Sequence, residues 1–121
     1  MNPSRFPDAA ISEADRLTNF EEFWPFYVRE HSRPVNRMLH FIGSTLGLVC
    51  LAETLATRNL WLIPLGLLIG YGFAWIGHFF IEHNKPASFK YPLWSFRADW
   101  KMWSLMLVRR MEPEVRRANQ S

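Results

Sequence analysis

The sequence predicts an all-α membrane protein, a two-helix transmembrane hairpin with flanking interfacial, amphipathic helices, and three observations predict it. From Met38 to His83 the only charged residues are Glu53, Arg58 and Glu82, so charge is confined to the two ends of the chain. Turn chemistry interrupts that stretch at Thr57-Arg58-Asn59, leaving two apolar runs that are each long enough to cross a bilayer. The shorter runs on either side carry aromatic residues at helical spacing and basic flanks, as interfacial helices do. The overall composition, 49% hydrophobic and 16% aromatic with a net charge of +3, averages over this division and describes neither part.

Taken in order, residues 1–18 read as a polar N-terminal tail in which Ser12 can cap a short helix. The first 30 residues hold no apolar run of signal-peptide length, so the hairpin itself is expected to direct insertion. Residues 19–110 form a single helical membrane domain. It opens with Asn19 capping FEEFWPFYVREH, whose early acids and late basic residues suit the helix dipole and whose Phe20, Phe23, Trp24 and Tyr27 share one face. Pro34 ends that helix. Asn36 caps the first span, about 37–56, whose twenty residues reach about 30 Å, close to the hydrocarbon thickness. The second span covers about 60–82, with Pro64 tolerated near its start. An irregular segment with Pro86 and Pro92 follows, then an amphipathic helix over 99–110, and 111–121 read as a solvated polar tail.

Arg29, Arg33 and Arg37 precede the first span and Lys85, Lys90, Arg97 and Lys101 follow the second, while the turn carries only Arg58. Both termini are therefore expected in the cytoplasm, with the spans in the inner membrane of a bacterium or the endoplasmic reticulum of a eukaryote. Gly43/Gly47 and Gly66/Gly70 give each span a GxxxG face, usable within one chain or between two, so a homo-oligomer is open. The basic residues form no nucleic-acid-binding pattern, and no nucleic-acid partner is expected. Cys50, alone on an apolar helix, reads as a small buried hydrophobe.

The chemistry gathers at the open end. His40 lies nineteen residues before Asn59 and His78 nineteen after, so the hairpin brings them to one end, on the glycine faces, with His31 and His83 beside them. Single histidines on apolar helices are usually structural. Four at one mouth, with Glu82 and Asn84 as candidate catalytic residues, provide what a divalent transition metal needs. Two histidines and a carboxylate would suit oxygen-activating iron; four histidines with Glu82 as an outer acceptor would also serve. Glycine packing leaves little room for haem between His40 and His78. The HxxxH and HxxHH clusters of membrane hydroxylases are absent. A zinc-dependent lipid hydrolase with Glu82 as general base is a further reading, and a non-enzymatic membrane hairpin or scaffold with structural histidines is another.

The elements FYVREH (26–31), NRMLHFIG (36–43), GYGFAWIGHFFIEHNKPASF (70–89) and YPLWS (91–95) resemble the small membrane-protein family of the fungal 2-hydroxy fatty acid dioxygenase. The resemblance covers about residues 20–110, and the combination of H-x8-H with GHxxxEHNxPA is specific. It implies an Fe(2+)-dependent α-oxidation in which a 2-hydroxy fatty acid and dioxygen give carbon dioxide and a fatty acid one carbon shorter. It also implies metal ligation by His31, His40, His78 and His83. Eukaryotic relatives have more spans than the two found here. On this reading Arg37 or Lys85 neutralises the substrate carboxylate, and the acyl chain lies along the helices toward Tyr71, Phe73 and Trp75.

Overall fold

The computed structural model describes residues 17–120; the expected N-terminal tail, with its short helix from Ser12, otherwise lies outside them. Helix α1 (Phe20–Arg29) starts as its sequence dictates, with the Asn19 side chain accepting from the Glu22 N–H at 2.8 Å. Helix α2 (Pro34–Thr57) begins earlier than expected. Pro34 occupies the first turn, where its fixed φ is favourable, so Asn36 is a buried residue inside the helix and not its cap. The Asn36 Nδ2 donates instead to Glu82 Oε2 at 3.3 Å, across the mouth of the hairpin.

At the far end Arg58 takes the left-handed conformation, φ 60°, and its N–H returns to Thr54 O at 2.7 Å. Helix α3 (Leu62–Ile76) then runs back and continues as a π turn (Gly77–Glu82). With that extension, both helices are long and apolar enough to cross a membrane, over Pro34–Thr57 and Leu62–Glu82. The glycines seam them together within one chain. Gly43 backs onto Gly70 and Gly47 onto Gly66, so close that a Cβ on Gly43 would stand 2.8 Å from Phe73 Cβ and one on Gly66 3.0 Å from Cys50 Cβ. The opposite surfaces stay bare: Leu55, Trp61 and Leu68 are 75%, 81% and 71% exposed.

After a 3₁₀ turn (Ala87–Phe89), helix α4 (Pro92–Leu107) crosses α2, with Trp103 Nε1 donating to Thr45 Oγ1 at 3.1 Å and its ring stacked on Phe41. It is longer than the expected 99–110, because Pro92 starts it a full two turns sooner. The expected solvated tail is also helical. Helix α5 (Met111–Gln120) docks on α1 through buried Met111 and Ala118 and through Trp24 Nε1, which donates to Glu114 Oε1 at 2.8 Å.

The packed core therefore lies outside the hairpin, in a cap made by α1, α4 and α5 over its open end. Phe20, Phe23, Trp24 and Tyr27, an aromatic face suited to a membrane surface, are buried there, with Phe23 edge-on to Tyr91 and Trp24 stacked on Tyr27. Buried aromatic side chains of this size contribute roughly 1.5–3 kcal/mol each, enough to anchor the cap.

The α1–α5 contact carries a pH dependence. The Trp24 N–H, and secondarily Arg117, hold the Glu114 carboxyl below its ordinary value. A carboxyl lowered by folding adds stability above its unfolded pKa of about 4.3, and that stability is lost as the pH falls through the folded value. The thermal midpoint is expected to fall on acidification in this range, and less steeply in Glu114→Gln. Identical acid limbs in both proteins would remove Glu114 from the docking contact.

Candidate metal centre

Three histidines converge under the cap. His31 follows the last turn of α1, His40 lies on α2 one turn before Gly43, and His78 lies on the π turn that extends α3. The glycine seam brings α2 and α3 together, and the π turn, a feature that recurs at functional sites, carries His78. The ring centroids are 4.4 Å (His31–His40), 4.5 Å (His31–His78) and 5.1 Å (His40–His78) apart. One ring nitrogen from each lies within 4.8 Å of the others, and all three residues are buried.

Hydrogen bonds fix the tautomers of two rings. His31 Nδ1 is 2.7 Å from Tyr27 O, and because a carbonyl only accepts, the proton is on Nδ1. His78 Nδ1 is 2.7 Å from Asn84 Oδ1, while Asn84 Nδ2 donates to Glu30 O at 3.1 Å. With the amide so oriented, His78 Nδ1 must donate. Both imidazoles keep an unprotonated Nε2. His31 Nε2 and His40 Nε2 are buried with no hydrogen-bond partner, each at a cost of about 1–3 kcal/mol if left so. Burial, and then the neighbouring His40 and His78, hold the His31 pKa well below its ordinary value, so the ring is a neutral donor. Between the rings lies a cavity of about 20 Å³, room for one small occupant. Neutral imidazoles with anchored Nδ1 groups and orphaned Nε2 atoms fit a divalent metal.

Asp99 of α4 completes the wall. Its Oδ1 accepts from Tyr27 OH at 2.5 Å and is 4.0 Å from His40 Nδ1. Burial pushes the Asp99 carboxyl up to about 7, against the Tyr27 hydrogen bond, and burial together with Asp99 raises the Tyr27 phenol well above 10. Ser95, one turn earlier, is buried, lines the same small cavity, and has an unpartnered Oγ. Neither residue was singled out from the sequence. The signal was the spacing Ser95, Asp99, Met102 on one helical face, an acid among core positions.

His40, Tyr71, Ala74 and Asp99 line this cavity and also a larger one of about 220 Å³, which extends along the glycine seam to Leu51 and Leu62. Tyr71 thus lies at the junction of the two cavities. Of the other expected residues, Arg37, Phe73, Glu82, His83, Asn84 and Lys85 line neither cavity. His83 is exposed, in the left-handed conformation with φ 60°, and lies outside the histidine trio. Glu82 accepts from the Arg33 N–H at 2.7 Å and from Asn36, and so clasps the two ends of the hairpin. Asn84 orients His78. Arg37 is buried, and its guanidinium donates to His31 O at 2.8 Å, Ser32 O at 2.9 Å and Glu112 Oε1 at 2.9 Å. Lys85 is exposed. Phe73 packs on Gly43, away from the seam cavity, and Trp75 borders only the small one.

No curated protein and no solved structure matches the chain. A family model does, over residues 17–111, the span that runs from three residues before α1 to the first of α5 and contains every residue of the histidine site. The chain belongs to the family described as 2-hydroxy-palmitic acid dioxygenase Mpo1-like.

Proposed function

We propose that the protein is an iron(II)-dependent dioxygenase that shortens 2-hydroxy fatty acids by one carbon, with His31, His40 and His78 as the protein ligands. The observation that carries the reading is the convergence of three buried imidazoles, two with orphaned Nε2 atoms, at the head of an apolar cavity. Held by these three imidazoles, iron(II) would supply a Lewis acid for the carboxylate and 2-hydroxyl of the substrate and the redox chemistry that dioxygen requires.

The chain does the rest. Tyr27 O and Asn84 Oδ1 keep protons on the outer nitrogens of His31 and His78, so the inner nitrogens are free to ligate. Arg37 holds the His31 carbonyl and ties it to α5, a positioning role in place of the expected contact with the substrate. Tyr71 and Ser95, which line the small cavity, offer hydroxyls to the substrate head group. Glu82 and Asn84 serve as clasp and orienting residue, and His83 has no part in ligation. The cap and the seam exclude water from the reacting carbons.

The reaction balances without a further reductant. A 2-hydroxy acid and one dioxygen give the shorter acid, carbon dioxide and water, the substrate providing all four electrons. Iron-loaded protein under air is expected to convert 2-hydroxyhexadecanoic acid to pentadecanoic acid with equimolar carbon dioxide. Folded, iron-loaded protein that leaves a range of 2-hydroxy acids untouched would overturn the reading.

The two apolar helices are proposed to span the membrane with the cap on the cytoplasmic side, supported by their bare leucine surfaces and by the basic residues around the cap. Since α1 and α5 both belong to the cap, both ends of the described chain lie on that side.

A further inference from the structure

The larger cavity gives this reading a substrate dimension. It is floored by glycine: Gly43, Gly47, Gly66 and Gly70 all line it, where side chains would otherwise fill the space between α2 and α3. Its head end, roofed by Phe96 and Trp100 of α4, shares His40 and Asp99 with the small cavity between the histidines. Its far end is Leu51 on α2 and Leu62 and Ile63 on α3. From His40 to Leu51 is eleven residues, about 16 Å along the helix. A slot of this length is open to the apolar surroundings at one side, since Leu51 is 47% exposed, and polar at one end only.

We infer that the glycine seam is the acyl site and that Leu51 and Leu62 set the longest chain the protein accepts. The inference rests on the proposed dioxygenase reading for the head group, but the slot and its continuity with the histidines are independent of the reaction. The occupant is one acyl chain of a substrate lying along the hairpin, its carboxyl end among the histidines and its methyl end at Leu51. This places the chain on the glycine faces, away from Phe73, where the sequence had suggested it would run. Shape makes the seam selective. A glycine floor admits a narrow, unbranched methylene chain at van der Waals distance and leaves no width for a ring or a second chain.

Two measurements test it, the first without turnover. The full chain in phospholipid nanodiscs, loaded with iron(II) and kept anaerobic, is irradiated with a 2-hydroxy fatty acid carrying a terminal diazirine. Adducts are expected on Leu51, Leu62 or Ile63 and are expected to fall away with excess 2-hydroxyhexadecanoic acid. Adducts confined to outward residues such as Leu55 and Leu68, or groove adducts that only excess phospholipid displaces, would overturn the inference, the latter assigning the slot to a bilayer lipid. The second measurement is the chain-length profile of turnover. Leu51→Trp is expected to lower kcat/KM for a 16-carbon substrate by about tenfold or more, mainly through KM, while a 10-carbon substrate keeps its rate and iron content is unchanged. Leu51→Ala is expected to move the optimum to longer chains. Profiles that do not move in either variant would overturn the ruler. Groove labelling in a protein with no turnover would retain the acyl site and defeat only the dioxygenase reading.

Discussion

His40→Ala and His78→Ala are each expected to abolish stoichiometric iron binding and, with it, turnover, whereas His83→Ala is expected to keep both. Losing an outer partner of a ligand typically costs about 10–100-fold in metal affinity, and losing one of three ligands must cost more. The contrast with His83 follows from geometry: the trio is buried with ring nitrogens within 4.8 Å of one another, and His83 is exposed on a left-handed cap residue. Asn84→Ala tests the outer layer. It leaves His78 in place but removes the acceptor that holds its Nδ1 proton, and a loss of about 10–100-fold is expected. Metal content after dialysis against buffered iron(II), with helicity by circular dichroism to show that each variant folds, separates these outcomes. Iron raises the stability of any protein that binds it only when folded, by about 2.7 kcal/mol at a hundredfold excess over Kd, so the wild-type protein and His83→Ala should also gain thermal stability on loading. Near-normal iron occupancy in both His40→Ala and His78→Ala would remove the histidines from the metal site.

The hairpin and the meeting of two histidines were legible because both depend on local rules. Two apolar runs of bilayer length about a polar turn give antiparallel helices, and equal offsets of His40 and His78 from Asn59 put them at one end. The GxxxG pairs gave the packing faces but not the choice between one chain and two; that choice depends on the antiparallel register, in which Gly43 meets Gly70 and Gly47 meets Gly66. What the sequence concealed is tertiary. The cap buries Phe20, Phe23, Trp24 and Tyr27 because α5, polar by composition, still presents Met111 and Ala118 to α1. Asp99 reaches the histidines from a helix that follows the second predicted span, seventeen residues beyond that span's end at 82, and only the crossing of α4 over α2 decides which of its faces looks inward. Nearness in sequence does not decide which side chains meet: Glu82 and His83 are neighbours of His78, but Glu82 accepts from Arg33 and Asn36 and His83 is an exposed residue capping the π turn.

Gly77→Ala is expected to destabilise the protein more than any other single methyl group added to a glycine, and to weaken the metal site with it. Gly77 opens the π turn against α2, and a Cβ there would run into the side-chain oxygen of Asn36, which is itself buried and tied to Glu82. Neither side can give easily: Asn36 is fixed in the first turn of α2, and the clasp it shares with Arg33 and Glu82 closes the hairpin on the π turn that carries His78. Overpacking of this kind typically costs about 1–3 kcal/mol, and replacing glycine in a helix returns about 1 kcal/mol, so a net loss is expected. Gly43→Ala should follow, since its Cβ would be 2.8 Å from Phe73 Cβ. Gly47→Ala should be tolerated, its nearest neighbour being Gly66 O at 3.5 Å, and Gly72→Ala, with nothing within 4 Å, should be neutral or stabilising. The order is read from thermal midpoints of the iron-free proteins, and iron affinity is then expected to fall for Gly77→Ala but not for Gly72→Ala. Equal midpoints and equal iron affinities across the four variants would mean that the hairpin does not close on its glycines, and the three imidazoles would lose the frame that brings them together.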